Sequence, residues 1–261
     1  MSFPKIFNKY ISLKDFQIDN IGKSDAGVYL FDDLVLKVQP ESDESKNELQ
    51  MLQWLNGKIP VPDIIEQISE YGKSYILMTR CKGHMSCTNQ YMNHPIKQAE
   101  LLADALQQLW NVPIADCPCH WPIEKRLQQA TDNIASDKVD IESAQPDTFG
   151  NSGFKNPEEL LQWLIANKPE ETAVISHGDF CLPNIFVDDN RVTGYIDLGK
   201  AGTADKWQDI ALCYRSLMNN YNGIYGGKKY SGFKPELLFD ALELAPDWDL
   251  MRYYILLDEL F

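Results

Sequence analysis

The chain has 261 residues, with 24 Lys plus Arg against 38 Asp plus Glu and a formal net charge of −14. That length is one large or two modest domains, and its 44% hydrophobic and 24% charged composition is that of a globular protein rather than a disordered one. The acidic balance argues against nucleic acid as a partner, and no apolar run reaches the ~18–20 residues that span a bilayer.

In chain order, residues 16–38 predict two or three short strands, FQIDNI, VYLF and LVLKV, around a polar turn at 22–27. From Ser45 the period turns helical, with Glu48, Leu52 and Leu55 on one face and Asn56-Gly57 as the stop. Two more strands, EQISEY and SYILM, flank Gly72-Lys73. The result is a small β-rich N-terminal lobe over 1–79, joined by a hinge at 79–83 to a mostly helical lobe over 80–261. In that second lobe helices are predicted at 96–109, where Ala99, Leu102, Leu106 and Leu109 form one stripe, and at 122–134. Residues 136–156 have no periodicity and read as a loop, after which Asn156-Pro157 opens a helix to about Asn167. A strand (AVIS), a hairpin (IFV and VTGYI about 188–191), a helix over 204–221, a Gly- and Tyr-rich loop and two last helices complete the chain. The six cysteines contain no CxxC pair, and Cys117-Pro118-Cys119 is too tight for a zinc knuckle, so reduced thiols are expected. The start, MSFPKIFNKYISL, lacks an apolar signal core, and a cytoplasmic location is expected.

The stretch that carries chemistry is His177-Gly178-Asp179, then Asn184, then Asp197-Leu198-Gly199. Asp179 follows a strand, and the hairpin after Asn184 returns Asp197 to the place where its first strand began. A carboxamide and a carboxylate so placed are hard oxygen ligands suited to Mg2+ held jointly with nucleotide phosphates. Asp179 beside them can accept the proton of an attacking hydroxyl. A Ser176-His177-Asp179 triad fits poorly, because three near neighbours at one strand end cannot reach the needed geometry, and His177 reads as a loop-holding hydrogen-bonding residue. Lys37 in a strand and Glu48 eleven residues later on a helix form a pair able to grip phosphates. The turn Gly22-Lys23-Ser24-Asp25-Ala26-Gly27 can cover phosphates with backbone N–H groups, although it is not a GxGxxG motif.

In that order these features resemble the aminoglycoside 3′-phosphotransferases, relatives of the protein kinases. The resemblance runs nearly end to end, through Asn47-Glu48, Trp54 with Pro60-Val61-Pro62, Ser176 to Asp179, Asn184-Ile185-Phe186-Val187, Gly194 to Gly199, Ala204-Asp205-Lys206-Trp207, Asp209-Ile210-Ala211 and the terminal LLDELF. It implies an α+β, two-lobe protein-kinase-like fold, ATP and Mg2+ as cofactors, and an aminoglycoside such as kanamycin or neomycin as substrate. By the same resemblance Asp179 is the catalytic aspartate, Asn184 and Asp197 hold magnesium, and Lys37 with Glu48 contacts the phosphates. Ser24 falls in the phosphate loop, Thr79 and Cys81 offer hinge backbone to adenine, and Ile196 lies beneath the base. Asp258, Glu259 and the Phe261 carboxylate receive substrate ammonium groups, with Glu142 and Asp147 as the loop acids that help them.

The chain departs from the pattern in four places. Lys200 follows Asp-Leu-Gly where Arg is expected, 180–183 is less polar than usual, and the loops at 136–156 and 219–233 are extended. A kinase for choline, a sugar or a macrolide shares residues 24, 37, 179, 184 and 197, and the acidic tail favours a polycation over those. A non-catalytic acidic binding protein is the remaining alternative, and the intact Lys, Glu, Asp, Asn, Asp set argues against it. A monomer or weak dimer is expected.

Overall fold

Alternating apolar side chains build the first layer of the structure. The computed structural model describes residues 3–12, 16–19, 26–150, 153–224 and 227–261. Strands β1 (Gln17–Asp19), β2 (Gly27–Leu30), β3 (Leu34–Pro40), β4 (Ile64–Glu70) and β5 (Lys73–Thr79) form one antiparallel sheet in the order β1-β2-β3-β5-β4. On its outer face Leu36 and Val38 of β3 join Tyr29, Phe31, Tyr75 and Leu77, covered by Phe3, Phe7 and Ile11 of the N-terminal segment. The period of two then places Lys37 on the opposite face, across from Val28 and Ile76. The β4–β5 hairpin closes on Tyr71 and Gly72, both at positive φ, which is the two-residue turn whose twist suits a hairpin.

Helix α1 (Asp43–Leu55) begins at a reciprocal cap: the Ser42 hydroxyl accepts from the Ser45 N–H at 3.1 Å, and the Ser45 hydroxyl accepts from the Ser42 N–H at 2.9 Å. Glu48, Leu52 and Leu55, which the sequence period places on one face, are buried, and Met51 is buried beside them. Met51, Leu52 and Leu55 join Ile76 and Met78 in a core continuous with that of the second lobe.

The remainder is helical around α3 (Pro95–Trp110), whose Leu102, Leu106 and Leu109 are fully buried. The other helices are α2 (Asn89–Met92), α4 (Ile123–Ala135), α5 (Pro157–Ala166), α6 (Lys206–Tyr221), α7 (Glu236–Leu242) and α8 (Trp248–Asp258). Two small sheets are set among them: β6 (His84–Met85) with the hairpin β8 (Ile185–Asp188) and β9 (Arg191–Tyr195), and β7 (Ala173–Ser176) with β10 (Gly202–Asp205). The Tyr195 hydroxyl, buried, donates to Ala105 O at 2.8 Å and ties β9 to α3. Thus the α+β, two-lobed architecture expected from the sequence is present. Among the described residues no helix is long and apolar enough to cross a membrane.

At one boundary a strand replaces part of a predicted helix. The helix predicted over 204–221 starts at Lys206, and Ala204 belongs to β10. The reason is Asp205, whose carboxylate accepts from the N–H groups of Trp207 and Thr172, both at 2.7 Å. A residue capping a helix in this way has extended backbone and cannot also be its interior.

Candidate active site

The segment after β7 is shaped by a residue from α6. Asp209, fully buried, accepts from the N–H groups of His177 at 2.6 Å and Gly178 at 3.0 Å. Burial pushes its carboxyl above the ordinary aspartate range, and these donors with His177 pull it back only in part. Gly178 has a φ of +80°, and a Cβ there would stand 2.0 Å from Lys200 O, so only glycine fits. The His177 ring nitrogen Nε2 lies 3.0 Å from Ile196 O, which is the loop-holding part that the sequence suggests. Asp179 follows, half-buried.

The hairpin does what its spacing predicts. Ile185 pairs with Tyr195, and Ile196 N–H donates to Asn184 O at 3.0 Å, so Asn184 and Asp197 end on the same side. Asn184 Nδ2 donates to the Asp179 carbonyl at 3.0 Å and to Asp179 Oδ2 at 3.3 Å. Asp197 adopts the left-handed conformation, φ 63° and ψ 52°, a strained state for a non-glycine residue that points to function. Its carboxylate reaches Lys37: Nζ donates to Asp197 Oδ1 at 2.7 Å and to Glu48 Oε1 and Oε2 at 2.7 and 2.8 Å. Burial alone would lower the Lys37 pKa and raise that of Asp197. The ion pairs outweigh it, so Lys37 is held above its ordinary range and Asp197 below. Asp179 goes the other way: burial pushes its carboxyl up and Asp258 adds to that, against the pull of Lys200 and His177.

The hinge runs beside β9. Gly194 allows the contact, because a Cβ there would come within 2.3 Å of Cys81 Sγ. Burial pushes the Cys81 thiol up to about 12, so it is inert at neutral pH. Thr79 N–H donates to Asp63 O at 2.9 Å, and its hydroxyl accepts from Asp63 N–H at 2.9 Å. That amide is therefore engaged, whereas Cys81 N–H meets no partner among the described residues. Ser24 and most of the 22–27 turn lie outside the described residues.

At the C-terminus the acids are not bare. Arg215 of α6 pairs with Asp258, and its Nη1 stands 3.6 Å from Glu259 Oε1. Burial would raise the Asp258 carboxyl, but Arg215, Lys200 and Arg126 hold it below its ordinary range; for Glu259 burial wins and the carboxyl is raised. The Phe261 ring lies under two cations, 4.8 Å from the Arg126 guanidinium and 5.9 Å from Lys200 Nζ. The 136–156 loop meets this tail where Gln145 N–H donates to Glu259 Oε2 at 3.3 Å. Asp147 stands 3.6 Å from Arg252, lining with Gln145, Tyr214 and Trp248 a cleft of about 240 Å3. Glu142 stays exposed on the loop, its N–H on Asp140 Oδ1 at 3.1 Å, and no described contact ties it to the tail. Sequence reasoning quoted Asp209 without a role and missed Arg126 and Arg215, each of which acts on residues distant in the chain.

These groups fit a nucleotide with magnesium. Asn184 directs its Nδ2 to Asp179, and its side-chain carbonyl oxygen accepts no hydrogen bond among the described residues, at the end of the hairpin where Asp197 also stands. Among the described residues no cluster of three or more His, Cys, Asp and Glu forms a protein-only metal cage. Two hard oxygens suit a Mg2+ that keeps waters and phosphates as its other ligands.

Residues 17–252 match the model of the phosphotransferase enzyme family. An aminoglycoside 3′-phosphotransferase of Enterococcus faecalis is 38% identical, over 98% of this chain and 96% of that protein. Among solved structures, an aminoglycoside 3′-phosphotransferase of type VIII superposes with a TM-score of 0.78 at 23% identity, covering 94% of each chain. A phosphotransferase of Streptomyces rimosus in complex with ADP and streptomycin gives 0.76 at 22% identity, covering 98% of this chain and 95% of that one. The fold is the kinase-like one, and this chain belongs to the phosphotransferase enzyme family, among the aminoglycoside 3′-phosphotransferases.

Proposed function

We propose that this protein transfers the γ-phosphoryl group of ATP to the 3′-hydroxyl of an aminoglycoside such as kanamycin or neomycin. The observation that carries the reading is the meeting of two pairs at one cleft: Lys37 on Glu48 and Asp197, and Asn184 on Asp179. In this reading residues 1–79 cover the nucleotide and 80–261 supply the acceptor site. Lys37, fixed by Glu48, faces the α- and β-phosphates, while the Cys81 N–H and the Thr79 carbonyl face adenine above Ile196. Ser24 belongs to the phosphate-covering turn. Asn184 Oδ1 and the Asp197 carboxylate would hold Mg2+, which would supply positive charge to offset that of the nucleotide phosphates.

Asp179 orients the acceptor hydroxyl and takes its proton at a carboxylate oxygen late in the transfer. Its raised pKa keeps it a better base than an exposed aspartate, while Asn184 Nδ2 fixes the carboxylate plane. Asp258, Glu259 and the Phe261 carboxylate take the substrate ammonium groups, with Asp147 and Glu142 of the loop added to that acidic wall. A phosphate on the drug introduces negative charge where a polycation binds RNA, which is a route to resistance.

The test is ADP release with a panel of acceptors. Kanamycin or neomycin should stimulate it and choline should not; release with choline alone would transfer the reading to another small-molecule kinase.

A further inference from the structure

Asn47 and Glu48 are adjacent on α1, yet they serve different lobes. Glu48 takes Lys37, while Asn47 crosses to the loop that follows Asp197. Asn47 Nδ2 donates to Ala201 O at 2.8 Å and Gly199 O at 2.9 Å, and lies 3.4 Å from Leu198 O. The side chain is only 6% exposed. A carboxamide nitrogen has two hydrogens, and this loop takes both. One turn earlier on α1, Glu44 packs so tightly on Gly199 that an added Cβ would stand 2.5 Å from its Cγ.

We infer that Asn47 is a positioning residue that, by clasping the carbonyls of Leu198, Gly199 and Ala201, sets where the Asp197 carboxylate stands relative to Lys37. Asp197 sits in the left-handed region, which persists only where neighbours over-determine it. On its N-terminal side the Ile196 N–H on Asn184 O provides that restraint. On its C-terminal side the carbonyls held by Asn47 provide it, from the same helix that holds Glu48. One helix thereby fixes both the phosphate-facing lysine and the carboxylate that the proposed function assigns to the metal. The inference rests on that assignment.

Loss of the clasp should therefore weaken the metal-dependent part of nucleotide binding and spare the rest. Calorimetry of ADP with and without Mg2+, and of kanamycin, reads this on folded wild type and Asn47→Ala. The variant should lose about tenfold in affinity for Mg-ADP while metal-free ADP and kanamycin change by less than about twofold. Mg-ADP binding within about twofold of wild type, or an equal loss for all three ligands, overturns the inference. If Asn47→Ala does not fold, Asn47→Ser keeps one donor in a smaller side chain and should show a smaller loss confined to Mg-ADP; wild-type Mg-ADP binding there overturns the clasp. A wild type whose ADP affinity ignores Mg2+ overturns the metal assignment itself, which separates the two failures.

Discussion

Lys37 Nζ stands 2.7 Å from Asp197 Oδ1 and 2.7 Å from Glu48 Oε1, joining residues 160 positions apart across the cleft between sheet and hairpin. Lys37 and Glu48 are buried, and without the lysine the Glu48 carboxylate keeps only the neutral Gln39 amide, 2.7 Å from its Oε2, against its charge. Lys37→Met should cost about 3–5 kcal/mol, the range for breaking a buried ion pair from one side. Urea unfolding reads the loss, and the double variant Lys37→Met/Glu48→Met should recover more than half of it. A Lys37→Met protein as stable as wild type would show that Glu48 finds other compensation.

The pH profile of kcat should carry the signature of Asp179. Burial raises its carboxyl, so the proton acceptor is lost as pH falls through a pKa above the ordinary ~3.9. Lys200 opposes that rise; Lys200→Met should therefore move the acid limb to higher pH, with Asp179 protonated over a wider range. An acid limb that stays in place in a folded Lys200→Met would remove Lys200 from the electrostatics of the base.

Much of this arrangement is legible in the sequence, and the reason is locality. The Lys37 and Glu48 pair follows from a strand and a helix in succession, and the Asn184 and Asp197 pair from one hairpin. What escapes are contacts made over long chain distances by residues with ordinary neighbours. Asp209 anchors His177 and Gly178 from α6, and Asn47, quoted in the family pattern without a role, reaches Gly199 across 152 positions. The terminal acids read as an open negative cluster because Arg215, 43 positions before Asp258, gives no local sign that it faces them. Strand β10 is missed because four residues ending in a helix cap carry too little period to separate them from the helix.

The Phe261 ring is held by Arg126 and Lys200, and the proposed function places this residue against the acceptor, so its removal should act on the acceptor and not on the nucleotide. Truncation after Leu260 should raise the aminoglycoside KM about tenfold or more and leave the ATP KM within about twofold. Steady-state kinetics with each substrate varied separately distinguishes the two. Unchanged aminoglycoside kinetics in the folded truncation would take the tail out of substrate binding.

Cys181, two residues past Asp179, should resist alkylation at neutral pH. Burial pushes its thiol far above the ordinary range, with Asp179 adding to the shift, and the thiolate is the reactive form. Mass spectrometry after a short iodoacetamide pulse at pH 7 should find it unlabelled and activity retained. Rapid labelling with loss of activity would show an open, ionised thiol in the cleft.

The central claim is transfer of phosphate to one hydroxyl of a polycationic sugar, and the position of that phosphate tests it most directly. Kanamycin incubated with the protein, ATP and Mg2+ should gain a single phosphate whose phosphorus–proton coupling in NMR places it on the 3′-oxygen. Tobramycin, which lacks that hydroxyl, should bind without becoming phosphorylated there. Kanamycin phosphorylated at another oxygen, tobramycin rapidly phosphorylated, or ADP released with no phosphorylated sugar would contradict the account.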